Sequence, residues 1–185
     1  MSNDLLEYPQ RHYGMDHDRY EWSMLQDRKP VTWPGGKPLA LWINISVQHF
    51  PLSGDKPAVA PPGALTMPYP DLRHYTLRDY GNRVGIFRLL KVMAEYGAQP
   101  SLAISGALAK RYPQLLERLA QTPYEWLGHG WNMLCMHAGE VDADTEAGWI
   151  ADSRAALEQF TDQPITGWLS PGRIQSVNTP ELLVK

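Results

Sequence analysis

The sequence is poor in the groups from which several kinds of site are built. Its 185 residues include one cysteine, Cys135, which excludes an intrachain disulfide and a cysteine-rich metal site. No apolar run approaches the length of a membrane span. The net charge is only −3, so we expect neither a nucleic acid nor a membrane as partner. The first residues are polar and lack the apolar core of a signal peptide, which favours a cytoplasmic protein.

Proline, in contrast, is abundant and shapes the first part of the chain. Residues 1–38 show little periodicity and end in the turn sequence WPGGKP, so they predict an extended N-terminal arm before an α/β domain at 39–185. Residues 51–78 contain six prolines, a density that predicts a long loop without regular structure. Loops of that length inside a domain are usually functional.

Short apolar runs alternate with amphipathic segments after residue 38. The runs predict strands at 39–47, 99–104, 124–129 and 165–170. The amphipathic segments predict helices at 79–97, 106–112, 113–121, 146–160 and 179–185. In the helix at 79–97 we expect the core-facing side to consist of Val84, Phe87, Leu90 and Ala94. This alternation predicts an α/β fold with a parallel sheet or barrel.

Three histidines follow the predicted strands. Function in parallel α/β folds lies on loops after the carboxyl ends of the strands, and His49, His129 and His137 all fall there. An imidazole titrates at about pH 6.5, so it can act as a base and then as an acid at neutral pH. The glycines on both sides of His129 are expected to let a substrate approach closely.

Five segments of the chain carry a resemblance to a known family. They are VQHFPL (47–52), RDYGNRVGIFRLL (78–90), RYPQLL (111–116), GHGWNMLCMH (128–137) and GWLSPGRIQSVNTPELL (167–183). Together they resemble the polysaccharide deacetylase (NodB-homology) superfamily, and within it the branch of metal-independent allantoinases and cyclic-imide hydrolases. The resemblance implies a distorted (β/α) barrel that hydrolyses a non-peptide carbon–nitrogen bond. Family members continue past the last residue of this chain, so the barrel is expected to be incomplete at its C-terminus.

The sequence departs from the metal-dependent members of that superfamily at two motifs. Those members carry an Asp–Asp pair after the first strand, where this chain has Gln48 and His49. They also carry two histidines four residues apart, where this chain has His129 and Met133. Because a catalytic zinc needs three protein ligands, we expect no metal cofactor, with a zinc-type divalent ion as the open alternative.

Residue chemistry suggests roles for the side chains in these motifs. We predict that His129 and His137 are catalytic and activate water; alternatively, both hydrogen-bond loop carbonyls. Aromatic walls suit flat rings, and a guanidinium can polarise a carbonyl group. The predicted substrate-binding residues are therefore Gln48, His49, Trp131, Asn132 and Arg173. His49 could instead pack under the proline-rich loop, and Arg173 could lie on the surface.

Three functions remain open from the sequence. The leading hypothesis is a hydrolase of a small ureide or imide. The second is a non-catalytic family member that binds a ligand or a partner, and the third is a metal-dependent carbohydrate deacetylase. Because an unclosed barrel leaves a strand edge unpaired, we also expect a homo-oligomer or a complementing chain.

Overall fold

The computed structural model describes residues 23–52, 70–138 and 141–184. The chain divides between Leu41 and Trp42 into two units. The described part of the first unit contains two 3₁₀ turns, Leu25–Asp27 and Pro34–Gly36, and its residues are exposed. Gly35 and Gly36 have φ of 69° and 66°, a left-handed backbone that glycine adopts freely, which confirms the turn predicted at WPGGKP. Residues 1–22 of the extended arm predicted over 1–38 lie outside the described residues.

A four-stranded parallel sheet forms the centre of the second unit. Its strands are β1 (Asn44–Val47), β2 (Ser101–Ile104), β3 (Trp126–Gly128) and β4 (Gly167–Trp168), and they lie side by side in the same order as in the sequence. This arrangement confirms the predicted α/β fold with a parallel sheet. The prediction of a strand over 39–47 was wrong for its first half. Pairing starts only at Asn44 because β2 begins at Ser101, which lies opposite it.

The helices connect the strands and cover the sheet. They are α1 (Leu72–Tyr80), α2 (Ile86–Glu95), α3 (Leu108–Arg111), α4 (Pro113–Leu119), α5 (Ala143–Leu157) and α6 (Thr179–Val184). The loop predicted over 51–78 was wrong at its end, since α1 already begins at Leu72. The prolines stop at Pro70, and the Asp71 carboxylate then accepts a hydrogen bond from the His74 N–H at 3.0 Å, which caps the helix. Residues 53–69 of the predicted loop lie outside the described part.

A π-helical turn, Gly81–Gly85, joins α1 to α2 and changes which residues face the core. Ile86 is buried, and Leu90 and Met93 pack beside it, whereas Phe87 remains 41% exposed. The predicted core-facing side, which included Phe87, was therefore partly wrong. A π turn holds more residues than an α turn, so the helix face that continues after it is rotated from the one that a uniform helix would present.

The core lies between the sheet and the helices. All four residues of β2 are buried, as expected for a strand covered on both faces. The helix α5 buries Ser153, Ala156 and Leu157. The loops after the strands meet at one end of the sheet, which places Gln48, Ser105 and His129 near one another. No helix in the described ranges is long and apolar enough to cross a membrane.

Candidate active site

His129 is the residue that directly follows β3, and three strand ends fix its position. Its N–H donates to the Ile104 carbonyl at 3.0 Å, which extends the pairing with β2. Its Nδ1 donates to the carbonyl of Leu169, after β4. Because a carbonyl only accepts, the ring proton sits on Nδ1, and the Nε2 lone pair accepts from the Gln48 amide at 3.0 Å. The sheet thus holds the imidazole in one tautomer.

The surroundings of His129 keep its ring neutral. The residue is 2% exposed, and burial lowers its pKa below the ordinary value. The hydrogen bond to Leu169 acts in the opposite direction, while the neighbouring His137 lowers the pKa further. A neutral ring with a fixed tautomer leaves Nε2 able to accept a proton at neutral pH.

Gln48 connects His129 to an open cavity. Its backbone carbonyl accepts a hydrogen bond from the Asn82 side chain at 2.8 Å, which ties the end of β1 to the π turn. Between these elements lies a cavity of about 210 Å³, here called the Gln48 cavity. Its polar lining includes Gln48, Arg78 and Asn82, and its apolar lining includes Phe50 and Leu89. The residue whose amide contacts His129 therefore also lines this cavity.

His137 belongs to a separate, buried polar network. Its Nδ1 donates to Glu146 Oε1 at 2.8 Å, and neither side chain is exposed. The same carboxylate accepts from the Ser176 hydroxyl at 2.6 Å and from the Thr179 hydroxyl. His137 Nε2 and Trp168 Nε1 are buried and have no hydrogen-bond partner within the described ranges. The network joins the loop after β3 to α5 and to the start of α6.

Burial and hydrogen bonding act against each other in this network. Burial raises the pKa of Glu146, but donation from Ser176, Thr179 and His137 outweighs it, so the pKa lies below its usual value. Burial lowers the pKa of His137, and the Glu146 carboxylate only partly reverses this. These pKa shifts indicate that His137 is neutral and Glu146 is ionised. The imidazole proton then lies on Nδ1, which donates to the carboxylate.

The sequence analysis missed Glu146, although its pattern carried a signal. Ser153 and Leu157, four residues apart on α5, are both buried. Glu146 lies three residues before Trp149 and seven before Ser153, so the same face includes it. A carboxylate on a buried helical face requires hydrogen-bond donors, which the sequence alone does not locate.

His49 and Asn132, two of the predicted substrate-binding residues, form hydrogen bonds within the loops that follow the strands. The N–H of His49 donates to the Ser105 hydroxyl at 3.3 Å, and burial, followed by the charge of Arg111, lowers the pKa of its ring. Asn132 Oδ1 accepts from the N–H groups of Leu134 at 2.8 Å and Cys135 at 3.2 Å. The Asn132 oxygen therefore stabilises the loop that carries His137.

Trp131 and Arg173 lie on the outer side of these loops. Trp131 is half-buried, and the Lys110 ammonium lies 5.2 Å from the centre of its ring. Arg173 is exposed and has a φ of 58°, in the 3₁₀ turn Pro171–Arg173 that follows β4. Within the described ranges, neither residue has a side-chain hydrogen bond or ring contact with His129 or Gln48.

The glycines beside His129 serve packing. A Cβ on Gly128 would overlap the ring of Trp168. Gly130 has a φ of 66°, and a Cβ there would overlap Pro171 Cγ. The expectation that these glycines admit a substrate was therefore wrong, because Trp168 and Pro171 occupy the space that the missing side chains leave.

A second buried carboxylate, Asp79, was also missed. It accepts from the Tyr112 hydroxyl and forms an ion pair with Arg83 Nε at 2.9 Å. Burial raises the pKa of Tyr112, and the hydrogen bond with Asp79 raises it further. The Asp79 charge also raises the pKa of His49 slightly against the larger effect of burial. Asp79 stood at the predicted start of a helix, where a carboxylate is expected to be solvated, so the sequence carried no signal for this role.

The side chains present do not fit a divalent metal ion. His129 Nε2 accepts from the Gln48 amide, and Met133, at the place of a second motif histidine, is 5% exposed. No group of three histidine, cysteine, aspartate or glutamate side chains within the described ranges could hold a metal ion. A neutral amide and a thioether are poor replacements for the carboxylate and imidazole of a catalytic metal site.

Comparison with known proteins agrees with this geometry. A family model described as polysaccharide deacetylase matches residues 75–185, which is more than half of the chain. The chain belongs to the polysaccharide deacetylase family. The resemblance seen in the sequence motifs is thereby confirmed. A search of curated proteins gave no match.

Solved structures with the fold of this family are similar to the chain. The PuuE allantoinase has a TM-score of 0.72 at 22% identity, over 90% of this chain and 57% of that one. A protein described as a polysaccharide deacetylase from Mycobacterium smegmatis has a TM-score of 0.65 at 24% identity, over 84% and 51%. A CE4 family pseudoenzyme from Bacillus anthracis has a TM-score of 0.54 at 12% identity, over 88% and 46%. These likenesses show the NodB-type fold, and the chain spans about half the length of these proteins.

Proposed function

We propose that this member of the polysaccharide deacetylase family is a hydrolase that opens a carbon–nitrogen bond in a small ureide or cyclic imide. One observation carries the proposal: His129 is held neutral with its Nε2 lone pair on Gln48, and Gln48 borders an open cavity. A neutral imidazole in a fixed tautomer, joined through one side chain to a small cavity, is an arrangement that suits a general base.

The reaction follows from these two side chains. A water molecule replaces the Gln48 amide at His129 Nε2, and the imidazole takes a proton as the water oxygen bonds to the substrate carbonyl carbon. The Leu169 carbonyl, on Nδ1, stabilises the resulting imidazolium. The carbon–nitrogen bond then breaks, and the leaving nitrogen takes the proton back from Nε2. The released Gln48 N–H donates to the developing oxyanion.

The size of the cavity favours a small substrate. Its volume, about 210 Å³, is below the ~300 Å³ from which pockets for drug-sized ligands start. An imide or ureide ring fits such a space better than a polysaccharide chain does. The fold shared with the PuuE allantoinase supports the same substrate class.

We assign His137 a positioning role in this scheme. It is fully enclosed and donates to Glu146, so a substrate cannot reach its ring without movement of the loop. A proton on His137 would lower the pKa of His129, so protonation of one imidazole disfavours protonation of the other. Arg173 is exposed, so the task of polarising the carbonyl falls to Gln48.

A substrate panel tests the proposal. Purified protein is incubated with hydantoin, dihydrouracil, succinimide and allantoin, and ring opening is followed by liquid chromatography. Acetate release from an N-acetylated oligosaccharide is measured in parallel. We expect opening of at least one ring and no acetate release. Acetate release without ring opening would contradict the proposal and support a carbohydrate deacetylase.

A second candidate is a non-catalytic family member that binds a ligand or a partner. The observation that favours it is the Gln48 amide on His129 Nε2, because an amide cannot exchange protons at neutral pH and blocks the base. The fold is also shared with the Bacillus anthracis pseudoenzyme. Gln48→Ala and Gln48→Glu variants distinguish the hydrolase from the non-catalytic protein. If the wild type opens no ring of the panel and one of the variants does, the result supports the second candidate.

A further inference from the structure

We propose that the Gln48 cavity binds the carboxylate that ring opening creates, and that Arg78 is the residue that binds it. The inference rests on the proposed function and goes beyond it, because it assigns a product site and its ligand class. That class is a compact ureido acid or amic acid, with a carboxylate at one end.

Arg78 is held in place by an aromatic ring, with no anionic partner among the described residues. Its guanidinium carbon lies 4.0 Å from the centre of the Phe50 ring, and both residues line the cavity. Stacking on an aromatic face fixes the guanidinium plane and leaves the N–H groups at its edge available. Arg78 forms no ion pair within 4.0 Å in the described ranges, whereas Arg83 and Arg154 pair with Asp79 and Glu158.

The neighbouring carboxylate of Asp79 is not available to neutralise Arg78. One of its oxygens accepts from the Tyr112 hydroxyl, and the other pairs with Arg83 at 2.9 Å. Asp71 is close enough for the Arg78 charge to lower the Asp71 pKa slightly, but its carboxylate already binds the N–H and ring of His74. Among the described residues, no carboxylate thus neutralises the positive charge that Arg78 brings to the cavity.

The wall opposite Phe50 is open because of the π turn. Gly81 and Gly85 both line the cavity, and a Cβ on Gly81 would meet nothing within 4 Å. Asn82, between them, points its side chain at the Gln48 carbonyl. π turns within helices frequently occur at functional sites, and here the turn brings two residues without side chains to the ligand space.

The chemistry of the proposed reaction supplies the anion. A cyclic imide or ureide is neutral. Attack of water on its carbonyl carbon breaks the bond to the ring nitrogen, which takes a proton and stays in the product. The carboxylic acid formed then releases a proton to solvent and becomes a carboxylate. A guanidinium that binds this group strengthens its interaction as negative charge develops, so it favours the opened form over the ring. Because Gln48 contacts both His129 and the cavity, the new carboxylate arises beside Arg78.

A binding experiment with a matched pair of molecules tests the site. N-carbamoylglycine is the ring-opened form of hydantoin, and its binding is measured by calorimetry beside that of hydantoin itself. The proteins are the wild type, Arg78→Gln, Arg78→Lys and the control Arg88→Gln. Arg88 also lies over an aromatic ring, Tyr80 at 6.0 Å, but does not line the cavity.

We expect the wild type and Arg88→Gln to bind N-carbamoylglycine with equal affinity. Arg78→Gln is expected to bind it at least about tenfold more weakly, and Arg78→Lys with an affinity between those of the wild type and Arg78→Gln. Equal binding by the wild type and Arg78→Gln, or no saturable binding by the wild type, would overturn the site. If binding depends on Arg78 but no ring is opened, the binding site stands and the hydrolase proposal is overturned. If a ring is opened but binding does not depend on Arg78, the hydrolase proposal stands and the binding site is overturned.

Discussion

Glu146 accepts a hydrogen bond of 2.8 Å from Nδ1 of His137, and neither side chain has any exposed surface. Ser176 and Thr179 donate to the same carboxylate. One side chain of α5 therefore holds the loop after β3 and the start of α6. A buried carboxylate of this kind stabilises the fold only while every one of its donors is present.

We predict that Glu146→Gln destabilises the protein by roughly 2 kcal/mol, because the amide loses the charge of the acceptor and turns an N–H toward groups that also donate. The free energy of unfolding from urea titration, at pH 7.5, measures the change. Glu158→Gln is the control, since Glu158 directly follows α5 and pairs with Arg154 at the surface, and its loss is expected to be smaller. Equal losses would show that the buried network contributes little.

Acidification is predicted to destabilise the fold between about pH 7 and pH 5. Burial lowers the pKa of both His129 and His137 in the folded protein, so the unfolded chain binds protons first as the pH falls below about 6.5. Proton uptake by the unfolded chain shifts the equilibrium toward it, and stability therefore rises with pH in this window. Urea midpoints at pH 7.5 and 5.5 measure the effect.

The same titration on His129→Gln is expected to show a weaker dependence on pH, because one of the three histidines whose pKa burial lowers is gone and only His49 and His137 remain. A midpoint that stays constant or rises toward pH 5.5 in the wild type would contradict the assignment of neutral histidines. Glu146 does not obscure this window. Its pKa is lowered, so the stability it supplies is present above its unfolded pKa of about 4.5 and is lost only as the pH falls through its folded pKa.

Gly130→Ala and Gly97→Ala form a matched pair for the packing beside His129. Both glycines have a left-handed backbone, with φ of 66° and 64°, but a Cβ on Gly130 overlaps Pro171 whereas one on Gly97 meets nothing within 4 Å. We expect Gly97→Ala to cost about 1 kcal/mol from the backbone alone, and Gly130→Ala to cost ~1–3 kcal/mol more from the overlap. Thermal unfolding measures both, and equal losses would mean that Pro171 moves away freely.

The strand order and the histidine positions were predictable because they depend on patterns local in the sequence. Four apolar runs gave four parallel strands, although β1 is shorter than its run because its length depends on where β2 begins. His129 was found as a residue at a strand end. Its tautomer was not, because Leu169 and Gln48 come to it from 40 and 81 residues away.

The residues that sequence reasoning missed depend on contacts between distant segments. The partner of Asp79, Tyr112, lies 33 residues away between α3 and α4. The stacking of Arg78 on Phe50 joins the two sides of the predicted loop. The π turn at Gly81–Gly85 was read as ordinary helix, since its hydrophobic spacing differs from that of an α-helix by one residue in a single turn.

The outer surface of α1 and α2 predicts association with another chain. β1 lies at one edge of the described sheet, and large apolar side chains nearby are exposed, among them Leu77 at 70% and Val92 at 44%. An unpaired edge beside apolar groups favours pairing with a second copy or a complementing segment. We expect light scattering to report an oligomer at micromolar concentration, and Leu77→Lys to reduce its mass while Val184→Lys, on α6, does not. A wild-type monomer would contradict this expectation.

The rate of ring opening in the presence of a chelator tests the central claim, that His129 is the base of a hydrolase that works without a metal ion. The substrate is the best ring of the panel, and the proteins are the wild type, His129→Ala and His49→Ala, each shown to be folded by circular dichroism. The account predicts that the chelator leaves the wild-type rate unchanged, that His129→Ala lowers it ~100-fold or more, and that His49→Ala lowers it less. A wild-type rate that the chelator abolishes and zinc restores, or a greater loss in His49→Ala than in His129→Ala, would contradict the account.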